Sequence, residues 1–238
     1  MTIRPRLPAT TALLLVTLSV LLSGCQAART APSVNDIRAL MLTSHEKWST
    51  LSGETLTTWR PQNGEAQEVI NLFWISHNQA RFEMPNSETV LIVNESGVFE
   101  SYDGGRSFSE THHQDTEAML AMLPGSLAEI EQDTVYRHPL AMWVASPVID
   151  YIFPTGLAQR SEYEFGGKES VIGRETWVLT FYGSDNGETR LPLAKYWVDK
   201  ELGITLKAEV QGSNGLSEEM VFITMEVNPV IPEETFVP

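Results

Sequence analysis

One cysteine stands in 238 residues, at position 25. A chain with a single thiol builds no internal disulfide, so that residue has another use. Positive charge is scarce too: 16 Lys and Arg face 31 Asp and Glu, for a net charge of −15. Such a balance opposes binding to nucleic acid or to bare anionic headgroups. No apolar run reaches the ~20 residues that cross a bilayer as a helix, and nothing repeats at the roughly 20- to 50-residue period of a solenoid or propeller. Enzyme signatures are missing as well, with no G-x-S-x-G elbow and no H-E-x-x-H spacing. Gly104-Gly105 and Gly166-Gly167 read as hairpin turns, and Glu218-Glu219 and Glu233-Glu234 as solvated charge, not as a glycosidase pair. The best metal candidate is Thr111-His112-His113-Gln114-Asp115. Neighbouring strand side chains point to opposite faces, so these histidines read as a solvated loop. The sequence therefore offers no catalytic residue, no metal site and no cofactor motif.

What is present begins at the N-terminus. Arg4 and Arg6 form a positive head, Thr11 to Leu22 an apolar run, and the run closes on Leu22-Ser23-Gly24-Cys25. This is the layout of a secretory signal, and its end resembles the lipobox of bacterial lipoproteins. The expectation is a signal peptide over 1–24, removed to leave a lipid on Cys25, and a small polar tether over 25–33. Two or three acyl chains hold a protein at a bilayer, since each buried methylene contributes ~0.8 kcal/mol. The chain is then exported and anchored at the outer face of a cell membrane, or at an outer membrane if there are two; Gln26 permits the second. Losing two arginines leaves residues 25–238 more acidic still.

The remainder, 34–238, reads as one domain, mainly β with helices (α+β). Val34 to Trp48 places Ile37, Leu40, Met41 and Trp48 near one helical face, with Ser33 or Asn35 as cap. From Ser52 the period falls to two. Strands are expected at Glu54–Arg60, Glu68–Ser76, Gln79–Met84, Thr89–Asn94 and Gly97–Tyr102, joined by short hairpin connectors. Asp115–Leu123 reads as a short helix. Pro139–Phe153 reads as two helical pieces bent at Pro147. Strands return at Arg160–Phe165, Glu169–Ile172, Glu175–Tyr182, Leu193–Asp199, Thr205–Val210 and Glu219–Val227, before a proline-rich tail. Several strands are apolar on both sides. In the second, Val69, Phe73 and Ile75 alternate with Ile70, Leu72 and Trp74, so both faces need cover, from helices, loops, a lipid or a partner.

Three local patterns resemble the superfamily of lipoprotein carrier proteins (LolA/LolB/RseB-like): the periplasmic carrier, its anchored outer-membrane acceptor, and a sigma-factor regulator that senses lipoproteins. They are LFWISHNQARFEM with Tyr102-Asp103-Gly104; Gly173-Arg174-Glu175 leading to Tyr196-Trp197-Val198-Asp199-Lys200 and Leu202-Gly203; and Phe222-Ile223 through Asn228-Pro229, Ile231-Pro232 and Phe236. The resemblance implies a curved antiparallel sheet of about ten or eleven strands, an unclosed half-barrel with helices on its concave side and an apolar cavity for acyl chains. The lipobox aligns the chain with the anchored relatives, and the stretch 110–159 is longer than a minimal carrier needs. Candidates to line the cavity are Trp48, Met119, Leu120, Met122, Met142, Trp143, Ile149 and Phe153 from helices. From strands they are Trp59, Leu72, Trp74, Phe82, Trp177, Leu179, Phe181 and Phe222. The same side chains suit a plain core. The expected function is a non-catalytic, anchored protein that binds lipid or lipoprotein acyl chains as carrier, acceptor or sensor. Alternatives are a regulator that contacts a membrane-bound anti-sigma-type partner, and a structural envelope lipoprotein with a filled core.

Overall fold

A computed structural model describes residues 31–61, 63–76, 78–112, 119–131, 134–144, 146–185, 189–212 and 215–238. Cys25 and His113–Asp115 lie outside them, as do residues 115–118 of the helix expected at 115–123. Ser33 opens helix α1 (Val34–Leu42) with a capping box. Its hydroxyl accepts the Asp36 N–H at 3.1 Å, and the Asp36 carboxylate accepts the Ser33 N–H at 2.8 Å. The helix is shorter than its periodicity predicts. Thr43 turns its hydroxyl back onto the Ala39 carbonyl, and a 3₁₀ turn, Ser44–Glu46, follows.

Six strands come next: β1 (Thr50–Trp59), β2 (Gln67–Ser76), β3 (Gln79–Met84), β4 (Thr89–Asn94), β5 (Gly97–Ser101) and β6 (Ser109–His112). A connecting segment then carries α2 (Pro139–Trp143), α3 (Val148–Ile152) and α4 (Thr155–Ala158). Pro147 stands at the N-terminus of α3, as a helix breaker between α2 and α3 should. Five further strands complete the fold: β7 (Tyr163–Val171), β8 (Arg174–Asp185), β9 (Thr189–Asp199), β10 (Thr205–Gly212) and β11 (Gly215–Val227). All eleven form one antiparallel sheet in the order β6-β5-β4-β3-β2-β1-β11-β10-β9-β8-β7. Each half is a run of hairpins, and the first strand pairs with the last at the centre. The edges β6 and β7 do not pair, so the sheet is not closed into a barrel.

Gly166-Gly167 is not a turn. β7 runs through it with a bulge between Phe165 and Gly167, which merges two expected strands into one.

The face covered by the helices (the inner face) is packed in rows that follow the register. Leu51, Ile75, Ala80, Val93 and Val98 align across β1 to β5, and Leu179, Tyr196, Ala208 and Met220 align across β8 to β11. All of these are buried. Phe73 sits between Phe82 and Phe222, with ring centroids 6.1 and 5.7 Å away. Burying each such ring contributes ~1.5–3 kcal/mol.

The outer face is covered by the chain itself. Over β3 and β4 the C-terminal tail lies beside buried Ile92, the partner of Arg81. Phe236 is buried, Arg81 donates to the Thr235 carbonyl at 3.3 Å, and Asn94 donates to the Phe236 carbonyl at 2.8 Å. Over β9 and β10, Trp197 donates to Glu169 at 2.7 Å while the ammonium groups of Lys195 and Lys207 lie 4.3 and 4.6 Å from its ring.

Candidate functional site

Where β8 to β11 outrun the helices, the inner face carries one more row. Phe181, Ala194, Val210 and Glu218 are successive partners across four strands, with Tyr163 before Phe181 and Trp59 after Glu218. Small side chains at 194 and 210, between a ring and a carboxylate, leave a trough. Residues 130, 131 and 134–137, α3, α4 and residues 159–162 overhang it. The resulting cleft has a volume of about 1170 Å³, above the roughly 300–1,000 Å³ of ordinary small-molecule sites. Ile130, Val135, Tyr136, Pro147, Leu157, Phe181, Leu193 and Val210 give it apolar walls.

Polar groups fix the overhang in place. Arg137 grips Asp150 through both guanidinium branches, Nε at 2.8 Å among them, and so ties the 134–137 strip to α3. The Gln159 side chain accepts the Tyr136 N–H at 3.0 Å and donates to the Tyr136 and Thr155 carbonyls. The Arg160 guanidinium lies 4.7 Å from the Phe181 ring centroid and donates to the Tyr196 hydroxyl at 3.3 Å. Glu218 is half-buried on the floor. Its one hydrogen-bond partner among the described residues is the Tyr151 hydroxyl, which donates from α3 at 3.3 Å. Burial pushes the Glu218 carboxyl above the usual range, against the pull of that hydrogen bond. The Tyr151 phenol is driven well up, by burial first and by the Glu218 charge second. Burial also raises Tyr196.

Beside the cleft, sharing its Val135–Arg137 wall, is a second hollow of about 390 Å³ lined by Met119, Met122, Leu123 and Met142. Met122, Val135 and Met142 are 72%, 85% and 49% exposed.

The residues proposed from sequence to line a cavity are dispersed. Phe181 lines the cleft, and Met119, Met122 and Met142 line the neighbouring hollow. Trp48, Phe82, Ile149, Phe153, Leu179 and Phe222 are buried in the core between sheet and helices; Trp48 and Phe153 pack with ring centroids 5.3 Å apart. Trp143 and Trp177 are half-buried against that core, the latter between Lys168 and Lys200. Trp59 is half-exposed at the end of β1. Leu72 and Trp74 are set apart from any inner space: buried Phe73 and Ile75 take the inner face of β2, so their neighbours face outward, away from the helices.

Ala194, Val210, Glu218, Tyr151 and Arg160 were not anticipated. Glu218 in particular departs from the solvated acid its sequence suggests, whereas Glu219, beside Arg60 and Lys207, conforms to it. Among the described residues no group of three His, Cys, Asp or Glu could hold a metal ion, and no helix is long and apolar enough to cross a membrane.

No family model and no curated protein matches the chain. Among solved structures it is similar to the MucA/MucB complex of Pseudomonas aeruginosa, at 16% identity over 86% of this chain and 60% of that one, with a TM-score of 0.43. It is also similar to a LolA-superfamily protein of Nitrosomonas europaea (12% identity, 87% and 99% covered, TM-score 0.35). The lipoprotein LppX of Mycobacterium tuberculosis is a third (11% identity, 84% and 99% covered, TM-score 0.39). The chain spans about three fifths of the length of the MucB-complex chain it matches.

Proposed function

We propose that this open half-barrel is a non-catalytic lipoprotein of the cell envelope, anchored through a lipid on Cys25, which shelters a hydrocarbon chain in the cleft above Phe181, Ala194 and Val210. One observation carries the reading. The chain keeps a mostly apolar trough of about 1170 Å³ beside its buried core. An apolar surface of that kind gains ~25 cal/mol for each Å² a guest removes from water. The overhang, tied down by Arg137–Asp150 and Gln159, serves as the lid under which an alkyl chain slides from the bilayer. The test uses the full chain with Cys25→Ala, so that no acyl group of its own is present. Native mass spectrometry and solvent extraction are expected to return a bound lipid or saturable uptake of a fluorescent alkyl alcohol. Val210→Trp, which fills the trough, is expected to abolish uptake with the fold retained. A lipid-free protein that takes up no probe removes the reading.

A second reading is supported by the exposed Met122, Val135 and Met142. Flexible, polarisable Met side chains on a surface suit a protein partner, here a membrane-bound regulator of the anti-sigma type. Cross-linking that captures one such membrane protein, and loses it in Met122→Asp and Met142→Asp, would favour this reading, provided alkyl uptake is absent.

A further inference from the structure

The cleft has apolar walls, but its charges are unequal and unequally engaged. Glu131, Asp150, Glu162 and Glu218 line it against two cations, Arg137 and Arg160. Arg137 is held by Asp150 on both branches. Arg160 lies over the Phe181 ring and donates to the Tyr196 hydroxyl. Of the acids, Glu218 alone stands on the floor, at the end of the apolar row, where the sheet places it one partner beyond Val210. Its carboxylate can accept about four hydrogen bonds and receives a single long one, from Tyr151 at 3.3 Å. A guest lying along Phe181, Ala194 and Val210 therefore meets, at the end of the trough, an acceptor with spare capacity in a partly desolvated place. There a charge-assisted bond is stronger than at the surface.

Resting on the reading of the cleft as an alkyl site, we infer that it selects amphiphiles whose polar end is a hydrogen-bond donor, above all an amine, with Glu218 as the receptor of that end, and discriminates against amphiphiles ending in a carboxylate. A carboxyl whose ionisation burial opposes is a liability to the empty protein, and a cationic guest would relieve it.

Selection is tested by competition on the full chain with Cys25→Ala. A neutral fluorescent alkyl alcohol is displaced by hexadecylamine, hexadecanol or hexadecanoic acid, each below its micellar concentration. The amine is expected to displace the probe on the order of tenfold better than the acid, the size of one charge-assisted hydrogen bond, with the alcohol between them. Glu218→Gln, which keeps the shape, is expected to bring amine and acid together. Tyr151→Phe, which removes the competing donor and keeps the carboxylate, is expected to retain the amine preference. Equal displacement by all three, a preference for the acid that depends on Arg160, or an amine preference that survives Glu218→Gln each overturns the inference while leaving the alkyl site standing. A chain that binds no probe at all fails the alkyl site itself, and this inference with it.

Discussion

Asp199 is fully buried, and its carboxylate receives the Arg174 guanidinium together with the backbone N–H groups of Glu201 and Leu202, both at 2.9 Å. It thereby shapes the turn between β9 and β10. Asp199→Ala is expected to cost roughly 3 kcal/mol, read as a lower urea midpoint, because it takes the acceptor from two turn amides and leaves the guanidinium with Glu201 alone. Glu218 works in the opposite direction. Burial raises its folded pKa above the unfolded value, so its contribution to stability is full below the unfolded pKa and is lost as pH rises through the folded one. Above its folded pKa the ionised carboxylate is a burden. Glu218→Gln is expected to raise the melting temperature at pH 7, and the difference between variant and parent is expected to vanish in acid; thermal melts at both pH values check this. Residues of this second kind are the hardest to read from sequence. The turn chemistry of Asp199-Lys200 to Gly203 is local and visible, whereas the half-burial of Glu218 depends on a tyrosine 67 positions away on another element.

At the scale of elements, the hairpins were the most legible. The bounds of β3 and β4 follow directly from short polar connectors and alternating side chains. β6 escaped notice because Ser109–His112 holds no aliphatic or aromatic residue and gains its conformation from pairing with β5. The Gly pair in β7 mimicked a turn because a bulge and a turn draw on the same glycine tolerance. Strand β2 is apolar on both faces, so nothing in its own sequence decides which set points inward; that is why Leu72 and Trp74 were assigned to the cavity. Docking of α1 hangs on one position. Gly203 has φ +73°, and a Cβ there would stand 2.3 Å from the Leu40 carbonyl oxygen. Gly203→Ala is expected to cost about 2 kcal/mol or more, since backbone cannot yield as a side chain does. Faster amide hydrogen exchange confined to α1 and the β9–β10 turn would confirm where the strain goes.

At the scale of the molecule, the sequence conveyed a mainly β chain with helices inserted between two strand runs, which the open eleven-stranded sheet matches. It did not convey where space remains, because the trough arises from an offset between strand length and helix placement. The outer face depends on the last ten residues. A chain ending at Asn228 is expected to lose about 3 kcal/mol or more from the uncovering of Ile92 and the loss of Phe236, and to bind more of an apolar dye than the full chain does. The central seam between β1 and β11 has a consequence in time. Partners such as Leu51 and Val227 lie at opposite ends of the domain, so a polypeptide emerging with its N-terminus first cannot zip the middle of its sheet until nearly all of it is out. Before that moment its early hairpins have no neighbour on one flank, so its last strand is the one that joins the two halves of the sheet.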